Sequence, residues 1–145
     1  MNAVDIRAML VDPLQSGAYF VDERDTRPMV EAGAALDLAV ARIDLEGVTD
    51  KAEALRHIGK ALRFPDWFGG NWDALADSLG DMSWWHAPGY LLLLEHAGQW
   101  READQAAFDT LLAIFNEAAE EWRGQNVPFW ALVPLPEDTL EMLAP

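Results

Sequence analysis

The chain contains no cysteine. A disulfide framework and a thiolate metal site are therefore excluded. Long apolar stretches are missing as well. No unbroken run is longer than Tyr90-Leu91-Leu92-Leu93-Leu94, far below the ~20 residues a helix needs to cross a bilayer. No charged N-terminal stretch leads into an apolar segment, so a secretory signal is not expected. Internal repeats and low-complexity segments are absent. Basic residues are few: Lys and Arg number 10 against 25 Asp and Glu, for a formal net charge of -15. Such a field repels nucleic acid and anionic membranes and draws in cationic partners. There is no P-loop, dinucleotide fingerprint or nucleophile elbow. These absences point to a cytoplasmic protein with no membrane partner and no direct nucleic-acid partner.

What is present suffices for a core. Of 145 residues, 51% are hydrophobic and seven are Trp, and this length suits one domain. Residues 3–10 read as a short helix stopped by Asp12-Pro13, and residues 18–21 as a short strand after the Ser16-Gly17 turn. Asp25 or Thr26 opens a helix with Pro28 in its first turn, ending near Gly33. Residues 38–45 read as a strand. Asp50 and Glu53 form a capping box. The helix they open carries Leu55, Ile58 and Leu62 as an apolar stripe and runs to Phe64-Pro65. Asn71 is a good N-cap for a short helix to Leu79. Residues 90–95 are almost wholly apolar, as in a parallel strand buried on both faces. A long helix over 103–123 follows, with the stripe Phe108, Leu111, Leu112, Phe115, Ala119 and Trp122, and Gly124 as its C′ residue. Residues 127–133 read as the last strand, and the tail adds a short helix after Pro136. Strands alternating with helices define an α/β class with a mainly parallel sheet flanked by helices, of three strands or of four if residues 18–21 join it.

Segment 64–79 is the most informative. On a helical wheel Trp72, Leu75, Ala76 and Leu79 share one side, while Asp73 and Asp77, four apart, are neighbours on a different, exposed side. Like charges at that spacing mildly destabilise a helix. Asp73 recovers something near the positive N-terminus, and Asp77 does not. The pair is either a solvated face or kept to meet cations. Beside it a Gly-rich loop carries Trp67 and Phe68, so acids and aromatics together suit an Arg/Lys-rich protein partner. Phe68 is the better candidate for burial under that loop. Trp84 and Trp85 suit core packing or a lid over the following strand. Asp66, Asp73, Asp77 and Asp81 are a conceivable Mg²⁺ or acid–base set. Four acids in one short segment are, however, more typical of a surface. His57, His86 and His96 lack metal-ligand spacing. No catalytic residue, metal or cofactor is expected.

The run Trp67-Phe68-Gly69-Gly70-Asn71-Trp72-Asp73-Ala74-Leu75-Ala76-Asp77-Ser78-Leu79 resembles the signature of the barstar-type inhibitors of microbial ribonucleases. The order of elements over about residues 36–135 is similar too. The resemblance implies a barstar-like fold, with a three-stranded parallel sheet flanked by helices. It implies an inhibitor and not an enzyme, one that plugs the active site of a basic ribonuclease in a 1:1 complex with its second helix and the preceding loop. By the same resemblance Trp67 stands at an interface aromatic, Gly69 and Asn71 at loop positions, and Asp73 and Asp77 at two interface aspartates. Asp77 matches the one that mimics substrate phosphate, and Glu117 matches a peripheral acidic contact. Ala76 departs from the family, which often has an aromatic just before the second Asp, and Gly70 stands where an acid is found. Residues 1–35 have no counterpart in the shortest members. They read as an N-terminal extension packed on the same domain as the barstar-like residues 36–145. The implied role is that of an intracellular antitoxin or immunity protein. The alternative, which Ala76 and the extension support, is a barstar-fold interaction or regulatory module that binds a basic partner other than a nuclease.

Overall fold

The computed structural model describes residues 3–66 and 68–143. Strands β1 (Ala18–Asp22), β2 (Ala39–Asp44), β3 (Tyr90–Glu95) and β4 (Phe129–Leu135) pair in the order β1-β4-β3-β2. Every pairing is parallel. The two central strands are the most apolar, because helices cover them on both faces. Alternation along the strands sorts the side chains. Ala41, Ile43, Tyr90, Leu92, Leu94, Phe129, Ala131 and Val133 pack into one layer, and Leu91, Leu93, Trp130 and Leu132 into the other.

The first layer is closed by α3 (Lys51–Ala61), α4 (Trp72–Asp81), α5 (Gly98–Ala103) and α6 (Gln105–Arg123). The second is closed by α1 (Ala3–Leu10) and α2 (Thr26–Ala35). A last short helix, α7 (Glu137–Leu143), follows β4. This division follows from the strand order. The connection from β1 to β2 crosses the sheet in one direction, and those from β2 to β3 and β3 to β4 run back in the other. Crossovers of one hand must then lie on opposite faces.

Residues before β2 are built into this frame. β1 takes the edge beside β4. The Ala18 N–H donates to Asn116 Oδ1 at 2.8 Å, and Arg123 donates to the carbonyls of Pro13 and Ser16 at 3.0 and 2.9 Å.

Several element boundaries differ from those expected from the sequence. Helix α2 passes through Gly33 to Ala35. Gly33 is there for close packing, since a Cβ would stand 2.9 Å from Leu91 Cδ2 and 3.0 Å from Val40 Cγ2. Helix α3 stops at Ala61, before Phe64-Pro65. The helix expected over 103–123 is α6, which begins at Gln105 because Asp104 accepts the Ala107 N–H as its N-cap, and the short helix α5 precedes it. Gly124 keeps right-handed geometry, and the reversal falls on Asn126. Helices α2, α3 and α6 all end in paired 6→1 and 5→2 backbone bonds around a left-handed residue: Asp37, Arg63 and Asn126. Asp and Asn tolerate that region, so neither end needed glycine. Strand β4 runs on to Leu135 through Pro134. Its ladder to β3 ends at Leu132, so the missing proline N–H breaks no bond on that side.

Candidate functional site

Helix α4 and the loop before it form the surface that the sequence singled out. Asn71 has extended geometry and its Oδ1 accepts the Ala74 N–H at 2.8 Å. This is the capping bond that starts the helix. Gly70 adopts φ +66° with open space where a Cβ would be. It is the loop position that favours glycine on conformational grounds. Gly69 needs no such φ but is tight, with Asn71 Nδ2 3.3 Å from its would-be Cβ.

Helix α4 buries Leu75, Ser78 and Leu79. The Trp122 indole N–H donates to the Leu79 carbonyl at 2.8 Å, fixing α4 against α6. Trp72 and Ala76 are half-buried at the margin of the packed face, and Lys51 lies 4.8 Å from the centroid of the Trp72 ring. Asp73 and Asp77 are both exposed. Among the described residues neither has an ion-pair partner. Glu117 is exposed on α6, one turn before Glu121, whose Oε2 stands 2.9 Å from where a Cβ of Gly80 would be. Trp67 lies outside the described residues. The structure thus places Gly69, Asn71, Asp73, Ala76 and Asp77 on one capped helix and its loop, with Glu121 of α6 beside Gly80 of that helix.

The loop rests on aromatics. Phe68 is half-buried and packs on Phe64, ring centroids 4.8 Å apart. Trp84 and Trp85 are half-buried and pack on the same core. Four clefts of about 300–370 Å³ lie elsewhere, and none is lined by a residue between 62 and 90.

The four aspartates at 66, 73, 77 and 81 are not brought together as a metal site. Among the described residues the group with metal-ligand spacing is Asp44, Glu46 and His96, all exposed, with donor atoms within 4.8 Å of one another. Sequence spacing did not reveal it, because 50 residues separate the ends of neighbouring strands β2 and β3. His96 Nδ1 already lies 2.8 Å from Asp44 Oδ1. That contact holds the His96 imidazole above its ordinary pKa and the Asp44 carboxyl below its own. His57 Nδ1 sits 3.0 Å from the Asp44 carbonyl.

A family model described as Barstar (barnase inhibitor) matches residues 38–134, and the chain belongs to that family. The match runs from the start of β2 almost to the end of β4 and includes all of α4, while α1, β1 and α2 lie outside it. No curated protein gives a significant match. Among the described residues no helix is long and apolar enough to cross a membrane.

Proposed function

We propose that this protein is a cytoplasmic, non-enzymatic inhibitor of a basic microbial ribonuclease, of the antitoxin or immunity type, acting as a 1:1 plug of the active site. The observation that carries this reading is the pair Asp73 and Asp77, exposed without a cationic partner among the described residues on a helix capped by Asn71. A helix-forming sequence gains nothing from two like charges four apart. They become favourable when a cationic surface arrives. Membership of the Barstar (barnase inhibitor) family supports the same surface.

In the complex Asp77 takes the place of substrate phosphate among the enzyme's cationic catalytic groups, and Asp73 pairs beside it. Gly69 and Asn71 shape the loop, with Trp67 as its aromatic contact. Ala76 leaves room for a bulkier partner residue between the two acids, and Glu117 contributes at the rim. RNA is shut out sterically, and no bond is made or broken. The charge of -15 steers the encounter with a basic enzyme, so association slows as salt screens the field. A standard-size interface would bury about 1,600 Å² in total.

The test is titration of this protein into a barnase-type ribonuclease while RNA cleavage is followed at low and at physiological salt. Stoichiometric inhibition that weakens with salt is expected. No inhibition at micromolar protein would remove that enzyme class as the partner. It would turn attention to a basic partner that is not a nuclease, the reading that Ala76 favours.

A further inference from the structure

The segment joining α3 to α4 is held from several sides by groups that are not on the α4 surface. At the C-terminal end of α3 the Phe64 N–H donates to the Gly59 carbonyl at 2.9 Å, with Arg63 in the left-handed region. The Phe64 ring stands edge-on to Phe68 and to Trp84, at centroid distances of 4.8 and 5.6 Å. Gly59 leaves the space that Phe68 fills, since a Cβ there would stand 3.1 Å from Phe68 Cδ2. From the other side the Trp84 indole N–H donates to the Leu62 carbonyl at 3.0 Å. That carbonyl sits at the C-cap of α3, where a helix leaves acceptors without partners. The guanidinium of Arg63 lies 4.1 Å from the centroid of the neighbouring Trp85 ring.

We propose that Trp84 is a positioning residue: with Phe64 and Phe68 it fixes residues 62–66 and 68 in the free protein, so that this part of the binding loop is formed before the partner arrives. This rests on the reading of α4 and its loop as the binding surface. A loop that must be ordered on binding subtracts its conformational entropy from the affinity, and a loop already fixed does not. Trp84 needs no contact with the partner to act in this way. The residues after α4 thereby control the residues before it.

The deciding experiment measures backbone amide exchange in the free protein and then binding calorimetry with a barnase-type ribonuclease. Trp84→Phe keeps a ring against Phe64 and removes the indole N–H. Exchange at Phe64 and Phe68, whose N–H groups donate to Gly59 and Pro65, should speed up by about fivefold to tenfold, with the β3 and β4 amides unchanged. Affinity should fall by a similar factor, with the loss in the binding entropy. Gly59→Ala presses on Phe68 from the opposite side and should raise the same two exchange rates. Unchanged rates at Phe64 and Phe68 would overturn the proposal. So would sheet amides that accelerate by the same factor, which would make Trp84 merely structural. If the wild type does not bind the ribonuclease, the inhibitor reading falls, and the exchange rates still decide whether Trp84 positions the loop.

Discussion

The indole N–H of Trp130 donates to the Leu10 carbonyl at 3.0 Å, a buried bond between residues 120 apart in the chain. It joins the central strand β4 to the end of α1. Ile6, Leu10, Met29 and Ala32 cover Leu91, Leu93, Trp130 and Leu132 on that face of the sheet. Residues 1–36 should therefore be inseparable from the rest, although the family match begins at residue 38. A fragment starting at residue 37 would present that apolar face to water. It should be insoluble or molten by near-UV circular dichroism. A fragment that unfolds cooperatively with native stability would make the N-terminal part a removable appendage.

Asp73 and Asp77 should separate stability from binding. Both are exposed, so Asp77→Ala should leave stability within about 0.5 kcal/mol. Asp73→Ala should cost a few tenths more, since it removes a negative charge from the helix N-terminus. Against a ribonuclease, Asp77→Ala should weaken binding by about 2–5 kcal/mol or more. That range for breaking a buried charge pair includes measurements on the barnase–barstar complex itself. Denaturant titration beside calorimetry checks both. If both single variants bind within twofold of wild type, the α4 surface is not the interface.

Asn71→Ala removes the side-chain acceptor of the Ala74 N–H and should cost about 1 kcal/mol of stability. Asn71→Asp keeps the acceptor and should restore most of it. Equal losses in the two variants would show that the cap bond is not what Asn71 contributes.

His96 and Asp44 set a narrow pH dependence. The Asp44 carboxylate raises the His96 pKa above its ordinary 6.5. The contribution of His96 to stability is thus full below about 6.5 and lost as pH rises through the raised midpoint. The Asp44 pKa is lowered below 3.8, chiefly by the same hydrogen bond. Its contribution is present above that value and lost as pH falls through the lowered one. Both side chains are exposed, so the stability change is small and screened by salt. The titration itself is the sharper measure. The His96 ring proton should titrate above 6.5 by NMR and return toward it in Asp44→Asn. A midpoint at or below 6.5 in the wild type would mean that the contact does not persist in solution.

Gly89 should resist enlargement. A Cβ there would stand 2.8 Å from both Leu38 Cδ2 and Pro128 Cγ, and 3.1 Å from the Pro128 carbonyl oxygen. The Pro128 oxygen belongs to the backbone that feeds β4 and accepts the Tyr90 N–H. Gly89→Ala should lower stability by about 1–3 kcal/mol in chemical denaturation. A neutral result would show that the strand entry can spread to make room.

Much of this protein is written in local chemistry. The all-apolar run of β3 announces a strand covered on both faces, and Leu75 and Leu79 announce the packed side of α4. Asn71 announces where α4 begins, because an N-cap is a contact between residues three apart. The exposed pair Asp73 and Asp77 follows from helical periodicity alone. Helix ends were less legible. Gly33 and Gly124 look like terminators, yet Asp37 and Asn126 make the left-handed turns, because tertiary packing and not glycine content decides where a helix leaves its face. The cap at Asp104 was hidden for a related reason. An acid inside an apolar-periodic stretch reads equally well as an exposed helical residue or as a cap. Only tertiary structure decided that β1 pairs with β4, that Trp84 reaches back to Leu62, and that Asp44 meets His96. Each joins residues far apart in sequence, and no local pattern encodes which distant partner a donor or a strand edge will find.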